Sequence, residues 1–152
     1  MDHSNISDAD VADLVRIVED SAVAYIRGDM DTYLSLISHA EDYTLMPPFG
    51  GDTVRGFDSS PEAIARQRDF FDGGDVTVEL EQSYVSGNLA VLVVVERQHG
   101  LVGGLPDQDW SLRVTLVFRR DESGWKLAHR HADALTHSFG LERISQLARG
   151  EQ

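Results

Sequence analysis

The 152-residue sequence contains no cysteine, a single lysine among its thirteen basic residues, and no long hydrophobic run. Without cysteine there is no disulfide, no thiolate nucleophile and no cysteine-ligated metal site. The longest uninterrupted apolar stretch, Leu89 to Val95, is far shorter than the roughly 20 residues of a membrane-spanning helix. The acidic first residues lack the basic start of a signal peptide. We therefore predict a cytoplasmic protein.

Positive charge is also scarce. Thirteen Lys and Arg residues against 26 Asp and Glu residues give a formal net charge of −13. A field of this sign repels nucleic-acid phosphates and anionic lipid headgroups, so we expect neither nucleic acid nor a membrane as a partner. The length suffices for one hydrophobic core. We expect a single domain over residues 1–152, with its core at about 7–134.

Three helices are predicted in the first half of the chain and a weaker one near its end. Residues that can cap the first three helices are Ser7, Asp29 and Ser60. Glycines should end the first and third helices, at Gly28 and Gly73-Gly74. The last helix is predicted at about residues 137–149.

The second half of the chain has the alternating apolar pattern of β-strands. After a first strand at Tyr43–Met46, the predicted strands are Val76–Tyr84, Leu89–His99, Trp110–Phe118 and Trp125–Asp133. A loop is expected over Gly100–Asp107. Helices followed by antiparallel strands indicate an α+β fold. We predict a cone-shaped, curved antiparallel sheet wrapped around the three helices, with a mouth that can hold a ligand.

The last predicted strand carries polar residues at every second position: His129, His131 and Asp133. Alternate residues of a strand share a face and lie about 7 Å apart, so these three could act on one substrate. Histidine titrates near neutrality, and a carboxylate can fix its tautomer for proton transfer. A polar network that satisfies only itself, or the polar floor of a binding pocket, has the same pattern.

A metal site is a further interpretation of these histidines. A His-x-His pair with a carboxylate can ligate zinc or iron, with His39, Glu96 or His99 as an additional ligand. No spacing in the sequence requires these additional ligands. We therefore predict neither a metal nor a cofactor.

Several motifs resemble the nuclear transport factor 2-like superfamily, in its SnoaL-like branch. They are Gly28-Asp29, Pro48-Phe49-Gly50, Gly56 and the hairpin from Leu112 to Asp133. The resemblance covers roughly Ser7 to Asp133 and implies the cone-shaped fold. The superfamily includes enzymes and non-catalytic association domains, so the resemblance leaves the function open.

A ketosteroid-isomerase mechanism is disfavoured by three positions of that resemblance. Where those relatives carry a general base before Pro-Phe-Gly, this chain has Pro47, which cannot transfer a proton. The position of their oxyanion tyrosine falls at Ser21. The strand that carries their second oxyanion acid, Trp110–Phe118, is apolar inside.

The resemblance also implies which side chains line the pocket. It directs His129, His131 and Asp133 into the cone, where His131 or His129 would be the base and Asp133 would orient it. The predicted ligand-binding residues are Tyr25, Tyr43, Phe71 and Trp110. Four arginines are predicted on the outer face of the sheet, through which the superfamily commonly dimerises: Arg113, Arg119, Arg120 and Arg130.

Two functions follow as alternatives. The first is a small-molecule pocket protein of SnoaL-like type that binds an apolar or aromatic, polyketide-like ligand. It could catalyse proton transfer, cyclisation or hydrolysis. The second is a non-catalytic association or ligand-sensing domain. We expect a homodimer in either case.

Overall fold

A computed structural model of the chain describes residues 5–151. The ends of the predicted domain, residues 1–4 and 152, lie outside the described residues, and the single-domain assignment stays a prediction. The elements are α1 (Asp8–Ile26), α2 (Met30–Leu36), β1 (His39–Met46), β2 (Val54–Arg55), α3 (Pro61–Phe70), β3 (Phe71–Ser86), β4 (Leu89–Val102), β5 (Gln108–Asp109), β6 (Leu112–Asp121), β7 (Gly124–Ala134) and α4 (Leu141–Ala148).

The first three helices begin at the predicted caps. Ser7 and Asp10 form a reciprocal capping box at the start of α1, which satisfies two backbone donors. The side chain of Asp29 accepts from the backbone of Thr32 in α2. Ser60 caps α3, in which Pro61 occupies the first helical position. Local sequence therefore determines where each helix starts.

The strands form one open seven-stranded sheet in the order β2-β1-β7-β6-β4-β3, with β5 paired to β4. The four long strands β3, β4, β6 and β7 run antiparallel as a meander, as predicted. The first strand, β1, joins β7 in parallel, so the sheet is mixed. The predicted α+β class is confirmed.

The boundaries of α3, β3, β4 and α4 differ from the prediction. α3 ends at Phe70, and β3 begins at the next residue and runs through Gly73-Gly74. A Cβ on Gly74 would overlap the carbonyl oxygen of His99, so the glycine lets β3 approach β4. β4 consequently extends to Val102 and occupies the start of the predicted Gly100–Asp107 loop. α4, at Leu141–Ala148, is shorter than predicted.

The main core lies between the inner face of the sheet and the helices. Buried residues alternate along the central strands, at Ala90, Leu92 and Val94 on β4 and at Val114, Leu116 and Phe118 on β6. They pack against α1 residues that include Leu14 and Val18. Among residues 5–151, no helix is both long and apolar enough to cross a membrane.

Gly28 lies where α1, α2 and the end of α3 meet, and its substitution tests how closely these elements pack. Its φ is +72°, and a Cβ there would overlap the carbonyl oxygen of Phe71 and lie 2.8 Å from that of Arg68. Gly104 has a similar φ of +81° but open space around it. We expect Gly28→Ala to lower the free energy of unfolding by more than Gly104→Ala, which should cost only the left-handed strain of roughly 1–2 kcal/mol. Equal losses in urea-induced unfolding would contradict this close packing.

Candidate functional site

A β-bulge in β7 decides which residues face the inside of the fold. Phe118 on β6 lies opposite Leu127, whereas the preceding residue, Val117, lies opposite His129. Ala128 is therefore the extra residue of the bulge. Because side chains of a strand alternate between faces, one inserted residue moves all later side chains to the other face.

The bulge turns His129, His131 and Asp133 outward. They lie opposite Val117, Thr115 and Arg113, which are on the outer face of β6. The predicted placement of these three residues inside the cone is therefore wrong, and the inserted residue is the reason. Their catalytic role stays a prediction, although a ligand inside the cone would be on the other side of the sheet.

On the outer face the two histidines have separate partners. The Nδ1 atom of His129 lies 2.8 Å from the hydroxyl oxygen of Thr44 on β1. The Nε2 atom of His131 lies 3.5 Å from a carboxylate oxygen of Asp133, and both of these side chains are about half exposed. Neither histidine therefore belongs to an enclosed pocket in the isolated chain.

The same bulge turns Arg130 inward, although its side chain was predicted to lie outside. Its Nη1 and Nη2 atoms donate to the two carboxylate oxygens of Glu96, at 2.9 and 2.8 Å. The side chain of Glu96 is only 1% exposed, whereas that of Arg130 is 25% exposed. Burial alone lowers the pKa of the guanidinium, but the charge and hydrogen bonds of Glu96 overcome this and raise it. The guanidinium therefore keeps its charge inside the fold.

Three tyrosines share the inside of the fold with this ion pair, and we call the five residues the interior set: Tyr25, Tyr33, Tyr43, Glu96 and Arg130. Burial raises the pKa of all three tyrosines, that of Tyr25 to about 12, which keeps the hydroxyls protonated. Tyr25 donates to Gln67 at 2.7 Å, and Tyr33 lies 3.0 Å from His39 Nε2. Tyr43 is 4% exposed. No buried side-chain nitrogen or oxygen among the described residues lacks a hydrogen-bond partner, so the Tyr43 hydroxyl, for which no hydrogen bond is described, is not a buried unpaired group.

An aromatic stack borders the interior set. The rings of His39 and Phe57 are parallel, with centroids 3.8 Å apart, and His39 also contacts Tyr43. Burial lowers the pKa of His39 to about 4, so its imidazole is neutral at physiological pH. His39 and Phe57 also line a groove of about 530 Å³ between α2 and β1.

The predicted ligand-binding residues fall into two groups. Tyr25 and Tyr43 belong to the interior set, and Phe71 packs on Tyr25 with ring centroids 4.8 Å apart. Trp110 packs, as Phe71 also does, against a smaller cluster of Ile26, Val76 and Val102. Its indole N–H donates to the carbonyl oxygen of Gly100 at 2.9 Å. Phe71 therefore contacts both groups, and the ligand-binding role of the four residues stays a prediction.

Two of the four arginines that were predicted on the outer face of the sheet lie there. Arg113 and Arg119 lie on it, and Arg119 donates to both carboxylate oxygens of Asp42. Arg120 instead packs over Trp125, 5.4 Å from the ring centroid, and lies 3.5 Å from Asp10 of α1. Arg120 precedes the turn into β7, where alternation along β6 turns its side chain towards the helices. The prediction of an outer position is therefore wrong for Arg120 and Arg130, which lie on the inner face of the sheet.

No metal site is formed by the residues that the structure describes, since no three His, Cys, Asp or Glu side chains come together in it. Of the additional ligands considered, Glu96 is bonded to Arg130 and His39 lies beside Tyr33. His99 lies 3.0 Å from Asp107 at the surface. The sheet separates Glu96 from the outward-facing histidines.

Sequence analysis missed the inward position of both members of the ion pair. For Glu96 a signal existed, because it continues the alternation of Ala90, Leu92 and Val94, which all face inward. For Arg130 no such signal existed, because the bulge at Ala128 follows an unbroken alternating pattern. Tyr33 and His39 carry no motif and become neighbours only through the packing of α2 on β1.

A family model of the SnoaL-like domain matches residues 15–135. The chain belongs to the SnoaL-like domain family. No curated protein sequence matched it. The described ion pair and tyrosines all lie within the matched residues.

Solved structures share the fold of this SnoaL-like chain. A candidate dehydratase of the NTF2-like family from Streptomyces avermitilis is 24% identical, with a TM-score of 0.68 over 86% of this chain and 99% of that chain. The association domain of CaMKII from C. elegans is 17% identical, with a TM-score of 0.59 over 83% and 96%. A candidate ketosteroid isomerase from Shewanella frigidimarina is 20% identical, with a TM-score of 0.59 over 78% and 92%. At these identities the likeness shows the fold.

Removing one partner of the ion pair should cost the SnoaL-like chain far more stability than removing both. Glu96→Leu leaves the Arg130 charge buried without compensation, and we expect a loss of about 3–5 kcal/mol in the free energy of unfolding. The double variant Glu96→Leu with Arg130→Met should recover most of that loss. Chemical denaturation of the single and double variants measures this coupling. Additive losses would show that the two charges do not depend on each other.

Proposed function

We propose that this SnoaL-like chain binds a small apolar or aromatic molecule against the interior set. The observation that carries the proposal is Arg130. It is ionised and largely enclosed, yet among the described residues its only hydrogen bonds go to Glu96. Its side chain is 25% exposed, so its remaining N–H groups are donors that a ligand can reach.

Unused donors inside a protein favour a ligand that accepts hydrogen bonds. A guanidinium has five N–H donors, and Glu96 engages two of its nitrogens. The Tyr43 hydroxyl is a second donor without a described acceptor. An oxygen acceptor on a ligand could hydrogen-bond to both of these donors. The ligand should therefore combine an apolar body with an oxygen atom.

Aromatic surfaces beside the interior set suit the apolar body. Tyr25 and Phe71 contact each other on one side, and the His39–Phe57 stack lies on another. The adjoining groove of about 530 Å³ is within the range of roughly 300–1,000 Å³ that small-molecule pockets occupy. Since His39 is neutral, the stack presents no charge to such a ligand.

The hydrogen-bond donors of Arg130 and Tyr43 also suit a catalytic role. Hydrogen-bond donors aimed at a carbonyl oxygen stabilise negative charge that develops on it, which assists proton transfer or cyclisation. Proteins with the same fold include a candidate dehydratase and a candidate isomerase, which supports ligand chemistry on this scaffold. The proposal includes the cytoplasmic location that the acidic, cysteine-free sequence predicts.

A tyrosine-to-phenylalanine pair of variants tests this binding site. Tyr43→Phe removes a hydroxyl that has no described partner, so stability should be unchanged or slightly higher. Binding of aromatic ketones and phenols, followed by NMR titration, should weaken about five- to tenfold, the value of one neutral hydrogen bond. Tyr84→Phe, at a 59% exposed position on the sheet, is the matched control. The proposal fails if no probe binds saturably, or if both variants bind as the wild type does.

A second function, self-association, is favoured by a specific surface that we call the outer strip. It consists of side chains on the outer face of the four long strands β3, β4, β6 and β7: Tyr84, Val91, Val93, Val95, Thr115, Val117, His129 and His131. All of them are partly or fully exposed, although most are apolar. An exposed apolar patch on a sheet is typical of an association surface.

The charges around the outer strip suit a second copy of the chain as its occupant. Ion pairs border it on both sides, Arg97 with Glu79 and Arg119 with Asp42, so its surroundings carry both signs. The chain as a whole carries −13, which makes this face one where two copies can approach without strong repulsion. An isologous dimer uses the same patch on both subunits. Association domains share this fold.

A lysine in the middle of the outer strip should abolish self-association. Val93→Lys would place two charges in the centre of an isologous interface, whereas Leu105→Lys changes an exposed residue outside the strip. We expect sedimentation velocity to show dimers for the wild type and for Leu105→Lys, and monomers for Val93→Lys. A monomeric wild type at 100 μM would exclude the dimer.

A further inference from the structure

His129 and His131 lie within the outer strip rather than beside it. In the row across the strands, His129 is opposite Val117, which is itself opposite Val91. In the next row, His131 is opposite Thr115, which is opposite Val93. A copy of the chain that covers the valines must therefore also cover both imidazoles.

We propose that both histidines must be neutral for two copies to associate through the outer strip, so that acidification separates them. The inference rests on the proposed self-association. Histidine gains its positive charge between about pH 8 and pH 5. Burying that charge in an interface of valines is costly unless a carboxylate pairs with it.

The groups around each imidazole decide whether protonation is compensated. His129 faces the Thr44 hydroxyl, 2.8 Å from Nδ1, and the ring of His131, whose centroid is 6.5 Å away. No carboxylate is described in contact with His129. The charged side chains at neighbouring outer positions of β1, β6 and β7 are Asp42, Arg113, Arg119, Lys126 and Asp133.

The positive charge of a protonated His131 would also be compensated only in part. Asp133 lies 3.5 Å from its Nε2, beyond a good hydrogen-bond length, and is opposite Arg113 in the register. At the other end Asp42 is already held by both nitrogens of Arg119. One carboxylate is thus available for two imidazolium groups, and it lies at the margin of the strip. An isologous interface doubles the deficit, because each copy contributes the same two histidines.

Acidification has an opposite effect elsewhere on the chain. It reduces the net charge of −13 and so weakens the general repulsion between copies. At 0.15 M salt, interactions beyond roughly 8 Å are largely screened, whereas charges buried in the interface are not. The cost of burying the imidazolium charges should therefore exceed the gain from the reduced general repulsion. We expect the dimer to weaken as the pH falls.

The experiment compares dimer dissociation constants at pH 8 and pH 5.5 in 0.15 M NaCl by sedimentation velocity. For the wild type we expect at least tenfold weaker association at pH 5.5. His129→Gln with His131→Gln should dimerise almost equally at both values. The control His99→Gln with His137→Gln, which removes two histidines outside the strip, should keep the wild-type response.

The possible failures separate the two proposals. A chain that is monomeric at pH 8 overturns both the association and its pH dependence. A dimer that is equally stable or more stable at pH 5.5 leaves the association standing and overturns the role of the histidines. The same holds if the 129/131 variant responds to pH as the wild type does. Circular dichroism at both pH values checks that each variant remains folded.

Discussion

Ala128 has no opposing residue on β6, and side chains on β7 change faces there. Because a strand alternates strictly, this single insertion places Arg130 inside the fold and His129 and His131 outside it. Both proposed functions depend on that exchange. Without the bulge, the histidines would face the helices and Glu96 would be buried opposite no cation.

Burying the Glu96–Arg130 pair has an electrostatic cost, which the fold compensates only in part. Removing two charges from water is costly, and two short hydrogen bonds compensate for it on one edge of the guanidinium. The side chain of Arg130 is 25% exposed, so its other edge is accessible beside protonated tyrosines and a neutral histidine. This accessible edge distinguishes the interior set from a fully enclosed ion pair. It is also why we assign ligand binding there.

The two faces of the sheet divide the two functions. On the inner face, polar groups are few, buried and surrounded by aromatic rings. On the outer face, a row of valines is partly exposed, and the histidines lie among them. SnoaL-like chains place different residues on a shared scaffold, so fold membership constrains neither face.

The sequence by itself determined the helix starts, the order of elements and the antiparallel meander, because caps, glycines and the period of apolar residues act locally. The alternation along β4 also indicates that Glu96 points inward, although this inward position was not predicted. Only the tertiary structure decided the face of Arg130 and of the two histidines. A bulge arises from how β7 fits between β6 and β1, and no sequence signal near Ala128 predicts it. The meeting of Tyr33, His39 and Phe57 likewise required three distant segments to pack together.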